Sequence, residues 1–318
     1  MKYVFFDIEC ACVYKSVAKI CAFGYVVTDG EFRVLEREDI LIDPKGKFHL
    51  TDRKGREGIV LPYAYEDFKK YPPFKAAYPK IKSLLEQKDA LVIGHATLND
   101  VKYLCLETKR FKLPSFDFEF YDTQFFYMNA QKSFFRQCGL ETMAKDLGVE
   151  FTPHRAVDDA YATMRVCEAL CKREGTNAEG LIDRYGIRAG KLSGYQIRNV
   201  DSDGLKHYSA EREEQKERQA RLHREFYRFV NRQMNRRSIG GELEGHVFCF
   251  SKDLEEETAI SLKLAGAIFA TGGKYTSHPA DCNVFIAREA GGVRYQCAID
   301  SGAAFIPLEK FKSALKGV

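Results

Sequence analysis

The sequence has no tryptophan, no long apolar run and little net charge. The last two features limit the partners that the protein can have. No stretch is apolar enough to span a bilayer, so no membrane partner is expected. Acids at positions 7 and 9 interrupt what would be the apolar region of a signal peptide. We therefore expect a cytoplasmic protein. Because the formal net charge is only +4, contact with nucleic acid would require local clusters of basic residues.

The ten cysteines include no Cys-x-x-Cys pair and no regular spacing typical of a zinc site. We expect all of them to be reduced thiols. Cys167 and Cys171 lie four positions apart on a predicted helix, which favours a place in the core. A chain of 318 residues is too long for one ordinary core and indicates two domains.

The chain is organised around residues 4–9, whose apolar side chains predict a strand buried on both faces. Asp7 and Glu9 interrupt this run two positions apart, so both project from the same side of the strand. Two carboxylates placed in this way repel each other and lose solvation unless a cation lies between them. Oxygen-only ligands favour Mg²⁺ or Mn²⁺. The alternative is a strand whose tip is exposed to solvent.

Further acids follow at predicted junctions between strands and helices. After a meander of three strands at about 2–9, 19–28 and 32–42, Asp100 lies in a first helical turn. Asp159 lies in a helix predicted at 156–172, and His154 precedes it on the entering loop. Four carboxylates from distant positions can together hold two divalent ions that stabilise an in-line displacement at phosphorus. A neutral histidine can take the proton of the attacking water.

Three segments carry a specific resemblance, FFDIE at 5–9, GHATLND at 94–100 and HRAVDDA at 154–160. They resemble the three motifs of the DEDDh (DnaQ-like) 3′→5′ exonucleases. That family includes the proofreading subunit of bacterial DNA polymerase III, RNase T and oligoribonuclease. The resemblance implies an α/β, RNase H-like mixed-sheet domain over 1–173. It also implies two bound Mg²⁺ or Mn²⁺ ions, His154 as general base, and metal ligands at Asp7, Glu9, Asp100 and Asp159.

Some residues near the motifs depart from the family pattern. Cys10 and Ala11 follow Glu9 where the family usually has threonine, in a neighbourhood that touches the terminal nucleotide. His95 stays in place and is expected to support the site, so we count Cys10, Ala11 and His95 as candidate nucleic-acid contacts. Asp158 is expected to be a solvated or capping acid, and Asp122 a structural one.

Residues 174–243 are predicted to be a linker that contains a basic amphipathic helix. Residues 209–237 carry nine Lys and Arg against five Glu. An apolar stripe runs along one face, and arginines four positions apart run along a neighbouring face. One interpretation is a helix that offers guanidinium groups to a phosphate backbone. The other is a solvated connector. The arginines concerned are Arg224, Arg228, Arg232 and Arg236.

Residues 244–318 resemble a small α/β BRCT domain, on the segments GHVF at 245–248, GGK at 272–274, NVFI at 283–286 and IPLEKF at 306–311. The resemblance is to the form found in bacterial DNA ligases, in which Phe occupies the position of Phe311. It implies a partner among replication or repair proteins, or DNA ends. Ser251 is a candidate phosphate contact.

Together these features predict a metal-dependent 3′→5′ exonuclease that releases nucleoside 5′-monophosphates from DNA, single-stranded or at a 3′ end, in replication or repair. One alternative is an exoribonuclease that trims RNA 3′ ends, as RNase T does. The other is a catalytically silent scaffold that binds nucleic acid.

Overall fold

The computed structural model of the protein describes residues 1–14, 16–48, 60–150, 153–235 and 240–315. Contacts divide the chain into two units, Met1–Ser209 and Ala210–Val318. Over these described ranges, no helix is both long enough and apolar enough to cross a membrane.

The first unit is built on a mixed sheet with the order β3-β2-β1-β4-β5-β6-β7. Its strands are β1 Lys2–Tyr14, β2 Val17–Asp29, β3 Val34–Leu41, β4 Ala90–Gly94, β5 Phe118–Asp122, β6 Gly190–Ser193 and β7 Gln196–Arg198. Its helices are α1 Phe74–Leu85, α2 Leu98–Arg110, α3 Thr123–Ala130, α4 Leu140–Asp146, α5 Ala156–Glu174 and α6 Ala178–Arg184, with a 3₁₀ helix at Tyr65–Lys70. The expected mixed α/β architecture is confirmed.

The predicted meander of three antiparallel strands is confirmed, and its register places the acids. Asp7 lies opposite Gly24, and Glu9 lies opposite Ala22. The first strand does not end at Glu9 as expected but continues to Tyr14, because β2 pairs with it along its whole length apart from a bulge after Glu9. The parallel strand β4 pairs only with residues 2–5 of β1. Among the described residues, one side of β1 therefore has no pairing partner from Phe6 onward, where Asp7 and Glu9 lie.

The core of this unit is rich in aromatic side chains. Phe5, Phe6 and Phe23 are completely buried, and the rings of Phe6 and Phe23 stack with centroids 5.7 Å apart. Burial of one such side chain contributes roughly 1.5–3 kcal/mol. Cys167 and Cys171 lie in the same core, as predicted, and all ten cysteines are free thiols. The strand β1 is thus packed into this core on either side of Asp7.

Residues 174–209 are not the linker that the composition suggested. The strand β6 pairs with β5, and β7 pairs with β6, so both extend the sheet. Leu192 of β6 is completely buried, and Tyr3 donates a hydrogen bond of 2.5 Å to Glu179 of α6. Strands of four and three residues are too short to show an alternating pattern, so β6 is determined by its pairing with β5, and β7 by its pairing with β6. The division after Ser209 accordingly differs from the expected boundaries at 173 and 244.

The second unit contains a parallel sheet with the order β11-β10-β8-β9. The helix α7, Asp203–Met234, continues across the division into this unit. The other elements are β8 Val247–Phe250, α8 Lys252–Glu256, α9 Thr258–Ala270, β9 Lys274–Tyr275, β10 Val284–Ala287, α10 Val293–Asp300, β11 Ala304–Pro307 and α11 Leu308–Ala314. The predicted apolar stripe of α7 packs in part: Phe226 and Val230 join this core, whereas Met234 is 49% exposed.

The helices α8 and α9 follow each other directly and are separated at Glu257. The cause lies in a buried hydroxyl. Ser261 donates a hydrogen bond to the carbonyl oxygen of Leu254. This oxygen therefore needs no hydrogen bond from the backbone of a continued helix.

Candidate metal centre

Asp7 and Glu9 lie side by side on one face of β1. Their neighbours Phe6 and Ile8 point to the other face and are buried. Both acids are half-buried. One oxygen of Asp7, one of Glu9 and one of Asp159 all lie within 4.8 Å of one another. The structure therefore brings together three of the four acids that the sequence singled out as metal ligands.

Asp159 reaches this cluster because α5 approaches β2 very closely. A Cβ atom added to Gly24 would lie 2.0 Å from the carbonyl carbon of Ala156, so only glycine fits beneath the first residue of the helix. Asp159 lies in the first turn of α5 and is 9% exposed. The first turn of α5 thus places the third carboxylate, that of Asp159, beside the acids of β1.

Asp100 lies in the first turn of α2, as predicted, and is 5% exposed. Burial raises the pKa of Asp7, and the charge of Asp100 raises it further. The turn before α2 includes Ala96 at φ 52°. Asp122 holds this turn by accepting hydrogen bonds from the backbone N–H groups of Ala96 and Thr97, at 3.2 and 2.9 Å. Asp122 is therefore a structural acid, as expected.

Crowding of buried carboxylates shifts their proton affinities. Burial, and next the charge of Asp159, raise the pKa of Glu9 to about 8. Burial is also the main cause that raises the pKa of Asp159 to about 7. The pKa values of Asp7 and Asp100 are raised by burial first and by neighbouring acids second. A positive charge beside these carboxylates would lower their pKa values again.

No cationic side chain of a described residue compensates these acids. Within the ranges that the structure describes, no Lys or Arg forms an ion pair with Asp7, Glu9, Asp100 or Asp159. Uncompensated buried carboxylates are strongly unfavourable, and a donor set made only of oxygens suits a hard divalent cation. The residues present therefore fit Mg²⁺ or Mn²⁺.

The residue His154 lies directly before α5, in the left-handed region at φ 73°. Its backbone N–H donates a hydrogen bond of 2.8 Å to Oδ2 of Asp159. This contact also lowers the pKa of Asp159, against the larger effect of burial. The loop that presents His154 is therefore tied to one of the clustered acids.

His95 forms its side-chain contact with Thr123 and is not among the clustered residues. Its Nδ1 is 2.9 Å from the hydroxyl oxygen of Thr123, and burial lowers the pKa of the ring to about 4. A buried neutral imidazole fixed in this way supports the junction of β4 and α2. Asp158 is not simply solvated, because it forms ion pairs with Arg37 and, at 3.8 Å, with Arg155.

The candidate nucleic-acid contacts are dispersed. Ala11 is completely buried beside Cys21, Leu61 and Phe68, so of the pair after Glu9 only Cys10 is partly exposed. Three arginines of α7 are exposed and form no ion pair with any described residue: Arg224, Arg228 and Arg232. Arg236 lies outside the described residues.

Ser251 precedes α8, and its hydroxyl oxygen is buried. The nearby Arg294 is engaged by protein groups: it forms bonds of 2.7 and 2.8 Å with Glu255. Tyr275 donates to the same carboxylate at 2.5 Å. Arg294 is therefore engaged by protein groups, and a phosphate contact at Ser251 stays a prediction.

Sequence reasoning missed Asp39 and Tyr63 at the edge of the centre. Burial of Asp39 raises its own pKa, and its charge contributes to the raised pKa of Glu9. The hydroxyl of Tyr63 donates a hydrogen bond of 3.0 Å to Asp39. The signal available in the sequence was weak, because β3 has the polar pattern VLEREDIL, which shows no buried face.

A family model described as exonuclease, RNase_T, matches residues 4–167. This range covers just over half of the chain and includes all four acids and His154. The chain belongs to the RNase_T exonuclease family. It is therefore a nuclease by family, in agreement with the expectation drawn from the three motifs. No curated protein matches the chain.

Solved structures of exonucleases resemble the chain at low identity. A full-length 3′-exonuclease is 15% identical, with a TM-score of 0.49 over 64% of this chain and 91% of that chain. A 3′-exonuclease described as recognising the histone mRNA stem-loop is also 15% identical, with a TM-score of 0.47 over 63% of this chain and 70% of that one. E. coli exonuclease I with an oligonucleotide is 17% identical, with a TM-score of 0.42. That match covers 57% of this chain and 42% of exonuclease I, so the chain spans less than half of that protein's length.

Proposed function

We propose that the protein is a 3′→5′ exonuclease that hydrolyses the terminal phosphodiester bond of a DNA strand and releases a nucleoside 5′-monophosphate. The observation that carries this proposal is the acid cluster: oxygens of Asp7, Glu9 and Asp159 lie within 4.8 Å of one another and lack a compensating cation among the described residues. Membership of an exonuclease family supplies the reaction class.

Each residue of the cluster has a role in this proposal. Asp7, Glu9, Asp100 and Asp159 hold two divalent cations. When bound, Mg²⁺ or Mn²⁺ supplies positive charge at the scissile phosphate and increases the acidity of a nearby water. The imidazole of His154 accepts the proton of the attacking water as the new oxygen–phosphorus bond forms. The bond from phosphorus to the 3′ oxygen breaks, and the leaving oxygen takes a proton from solvent.

The burial of the acids makes a metal-free resting site unfavourable at neutral pH. Glu9, with its pKa at about 8, holds a proton for much of the time without a cation. A divalent cation displaces this proton because it favours the ionised form. Metal affinity should therefore rise with pH across the neutral range.

A BRCT-like role for the second unit belongs to the same proposal. Its support is the parallel sheet with the order β9-β8-β10-β11 and the helices that connect its strands. Phe311 packs against Phe248 with ring centroids 5.4 Å apart, which agrees with a core role for Phe311. Because Arg294 is engaged by Glu255, we favour DNA ends or a replication or repair protein as its partner over a phosphopeptide.

One substrate comparison tests the proposal on the full chain. Single-stranded DNA, duplex DNA with a recessed 3′ end and RNA of the same sequence are incubated with Mg²⁺ or Mn²⁺ at one stated salt concentration. Strands labelled at the 5′ end should shorten one nucleotide at a time, and strands labelled at the 3′ end should release labelled mononucleotide at once. Faster cleavage of RNA would replace DNA by RNA in the proposal. An absence of cleavage of all three would favour a silent scaffold.

A further inference from the structure

The amino end of α5 lies over Gly24 of β2, which has an acid on each side of it in the sheet. In the sheet, Gly24 lies between Asp7 on β1 and Asp39 on β3. These three positions form one row across the strands, on the same face of the sheet. The backbone of Ala156 lies directly over Gly24. Asp7 and Asp39 therefore flank the first turn of α5 from opposite sides.

Asp39 is a buried carboxylate with an unusual set of partners. Its side chain is 10% exposed. Its Oδ2 accepts hydrogen bonds from the hydroxyl of Tyr63 at 3.0 Å and from Nε of Arg155 at 3.3 Å. Its Oδ1 is buried and has no hydrogen-bond partner among the described residues. A buried carboxylate with one unpaired oxygen lowers the stability of the fold, which indicates that Asp39 has a function at this position.

Tyr63 connects Asp39 to the helix. Its hydroxyl oxygen accepts a hydrogen bond of 3.2 Å from the backbone N–H of Ala156, the first residue of α5. The first N–H groups of a helix have no partner within the helix. The residue before α5, Arg155, supplies no side-chain cap. The hydroxyl of Tyr63 therefore takes the place of a capping side chain, although it lies 93 positions away.

The same turn of α5 carries the functional groups. Asp159 follows Ala156 by three positions and joins Asp7 and Glu9 in the cluster. The loop of His154 is bonded to Asp159. A shift of the helix start would move both groups relative to β1, and small displacements of ligands weaken a metal site.

We propose that Asp39 and Tyr63 are positioning residues of the metal centre. They fix the amino end of α5 so that Asp159 stays in place beside Asp7 and Glu9. This inference rests on the proposed function of the same cluster, and it concerns residues that none of the three sequence motifs contains.

The test is Tyr63→Phe in the full chain, which keeps the ring and removes only the hydroxyl. Binding of Mn²⁺ is measured by electron paramagnetic resonance, alongside kcat and KM on a DNA oligonucleotide. We expect Mn²⁺ binding about fivefold to tenfold weaker, as for the loss of one hydrogen bond. We also expect a lower kcat at limiting Mn²⁺ and an unchanged KM for the oligonucleotide.

Tyr65→Phe is the matched control. Tyr65 lies two positions away, and its hydroxyl also accepts a backbone hydrogen bond, from Leu61 at 3.1 Å, but no hydrogen bond joins it to a described residue of α5. This variant should bind Mn²⁺ as the unaltered protein does. Equal losses in the two variants would overturn the proposal, since they would indicate a general effect on the segment. Wild-type Mn²⁺ binding by Tyr63→Phe would overturn it as well.

Asp39 is tested by a conservative pair. Asp39→Ala removes the acceptor of the Tyr63 hydroxyl and should weaken Mn²⁺ binding as much as Tyr63→Phe does. Asp39→Asn keeps an oxygen that can accept this bond, so it should recover most of the loss. Failure of Asn to recover more than Ala would overturn the proposed hydrogen-bonding role of Asp39.

Asp7→Asn separates this inference from the proposed function. If Asp7→Asn and the unaltered protein bind Mn²⁺ equally, the acid cluster is not the metal centre and the proposed function fails. If Asp7→Asn loses binding while both Tyr63→Phe and Asp39→Ala retain it, only the positioning role fails.

Discussion

The backbone N–H of His154 donates a hydrogen bond of 2.8 Å to Oδ2 of Asp159. The contact links the candidate general base to a candidate metal ligand through the main chain, independently of the imidazole. His154 adopts a left-handed backbone at φ 73°, which a non-glycine residue rarely adopts without compensation from its surroundings. The loop conformation and the position of Asp159 are therefore coupled.

His154→Ala should separate the two functions of this residue. Alanine keeps the N–H group that holds Asp159 and removes only the imidazole. We expect kcat to fall by about 10²–10⁴-fold, the usual contribution of a general base, with Mn²⁺ binding unchanged. Turnover assays and Mn²⁺ titration of the same preparation check this. A variant that loses Mn²⁺ binding in proportion to its activity would show that His154 holds the metal instead.

Asp7→Asn should abolish turnover and weaken metal binding. Asp7 lies in the cluster with Glu9 and Asp159, and its replacement by a neutral amide removes one charged ligand. In the absence of metal, the same change should raise the melting temperature, because it relieves repulsion among buried acids. Differential scanning calorimetry with and without Mg²⁺ measures both effects. Asp117→Asn is the control, since Asp117 lies on the surface in an ion pair of 3.7 Å with Lys191.

The pH dependence of stability follows from the raised pKa values. Glu9 and Asp159 have pKa values of about 8 and about 7 in the folded protein, against about 4 when unfolded. The folded state therefore binds more protons than the unfolded state between these values. Metal-free protein should lose stability as pH rises from about 4 to about 8, by up to about 1.4 kcal/mol per pH unit for each group that stays protonated. Denaturant titrations at several pH values measure this slope, and saturating Mg²⁺ should flatten it. A stability that rises with pH in metal-free protein would contradict the assignment.

Gly24→Ala should damage both stability and activity, because the added methyl group would meet the backbone of α5 at 2.0 Å. Either the helix or the strand must then move. We expect a loss of about 1–3 kcal/mol in the free energy of unfolding, together with weaker Mn²⁺ binding, since α5 carries Asp159. Gly139→Ala is the control: its Cβ would have no atom within 4 Å, and its φ of −71° suits any residue. A Gly24→Ala variant as stable as Gly139→Ala would contradict the close approach of α5 to β2.

The acids of the cluster could be predicted from the sequence because each depends on local structure. Alternation along a strand places Asp7 beside Glu9, and the starts of α2 and α5 place Asp100 and Asp159. Asp39 could not be predicted, since its position opposite Gly24 depends on the pairing of β2 with β3. That pairing includes a register shift after Val27, and the exposed pattern of β3 gives no indication of which side chain turns inward.

The difference between local signals and strand pairing also explains why a linker was wrongly predicted over residues 174–209. The helix α6 has a local signal, an Asn177 cap that accepts a hydrogen bond of 2.9 Å from Gly180. The strand β6 has none, because its pairing partner β5 lies about seventy positions earlier in the chain, and β7 in turn pairs with β6. Tertiary contacts determine such short strands, and composition alone resembles that of a linker.

The last prediction concerns the arginines of α7. Arg224, Arg228 and Arg232 are exposed at intervals of four and form no ion pair with any described residue, so all three guanidinium groups can meet phosphates. Each phosphate contact to a single strand contributes about 0.7 to the slope of log affinity against log salt concentration. Replacing all three by alanine should therefore reduce this slope by about 2, with kcat at saturating substrate unchanged. Arg288→Ala is the control, because Arg288 is paired with Asp253 and Glu257 at 3.2 and 2.7 Å. Fluorescence anisotropy of a labelled oligonucleotide at several salt concentrations gives the slope, and an unchanged slope would identify this face of α7 as a solvated connector.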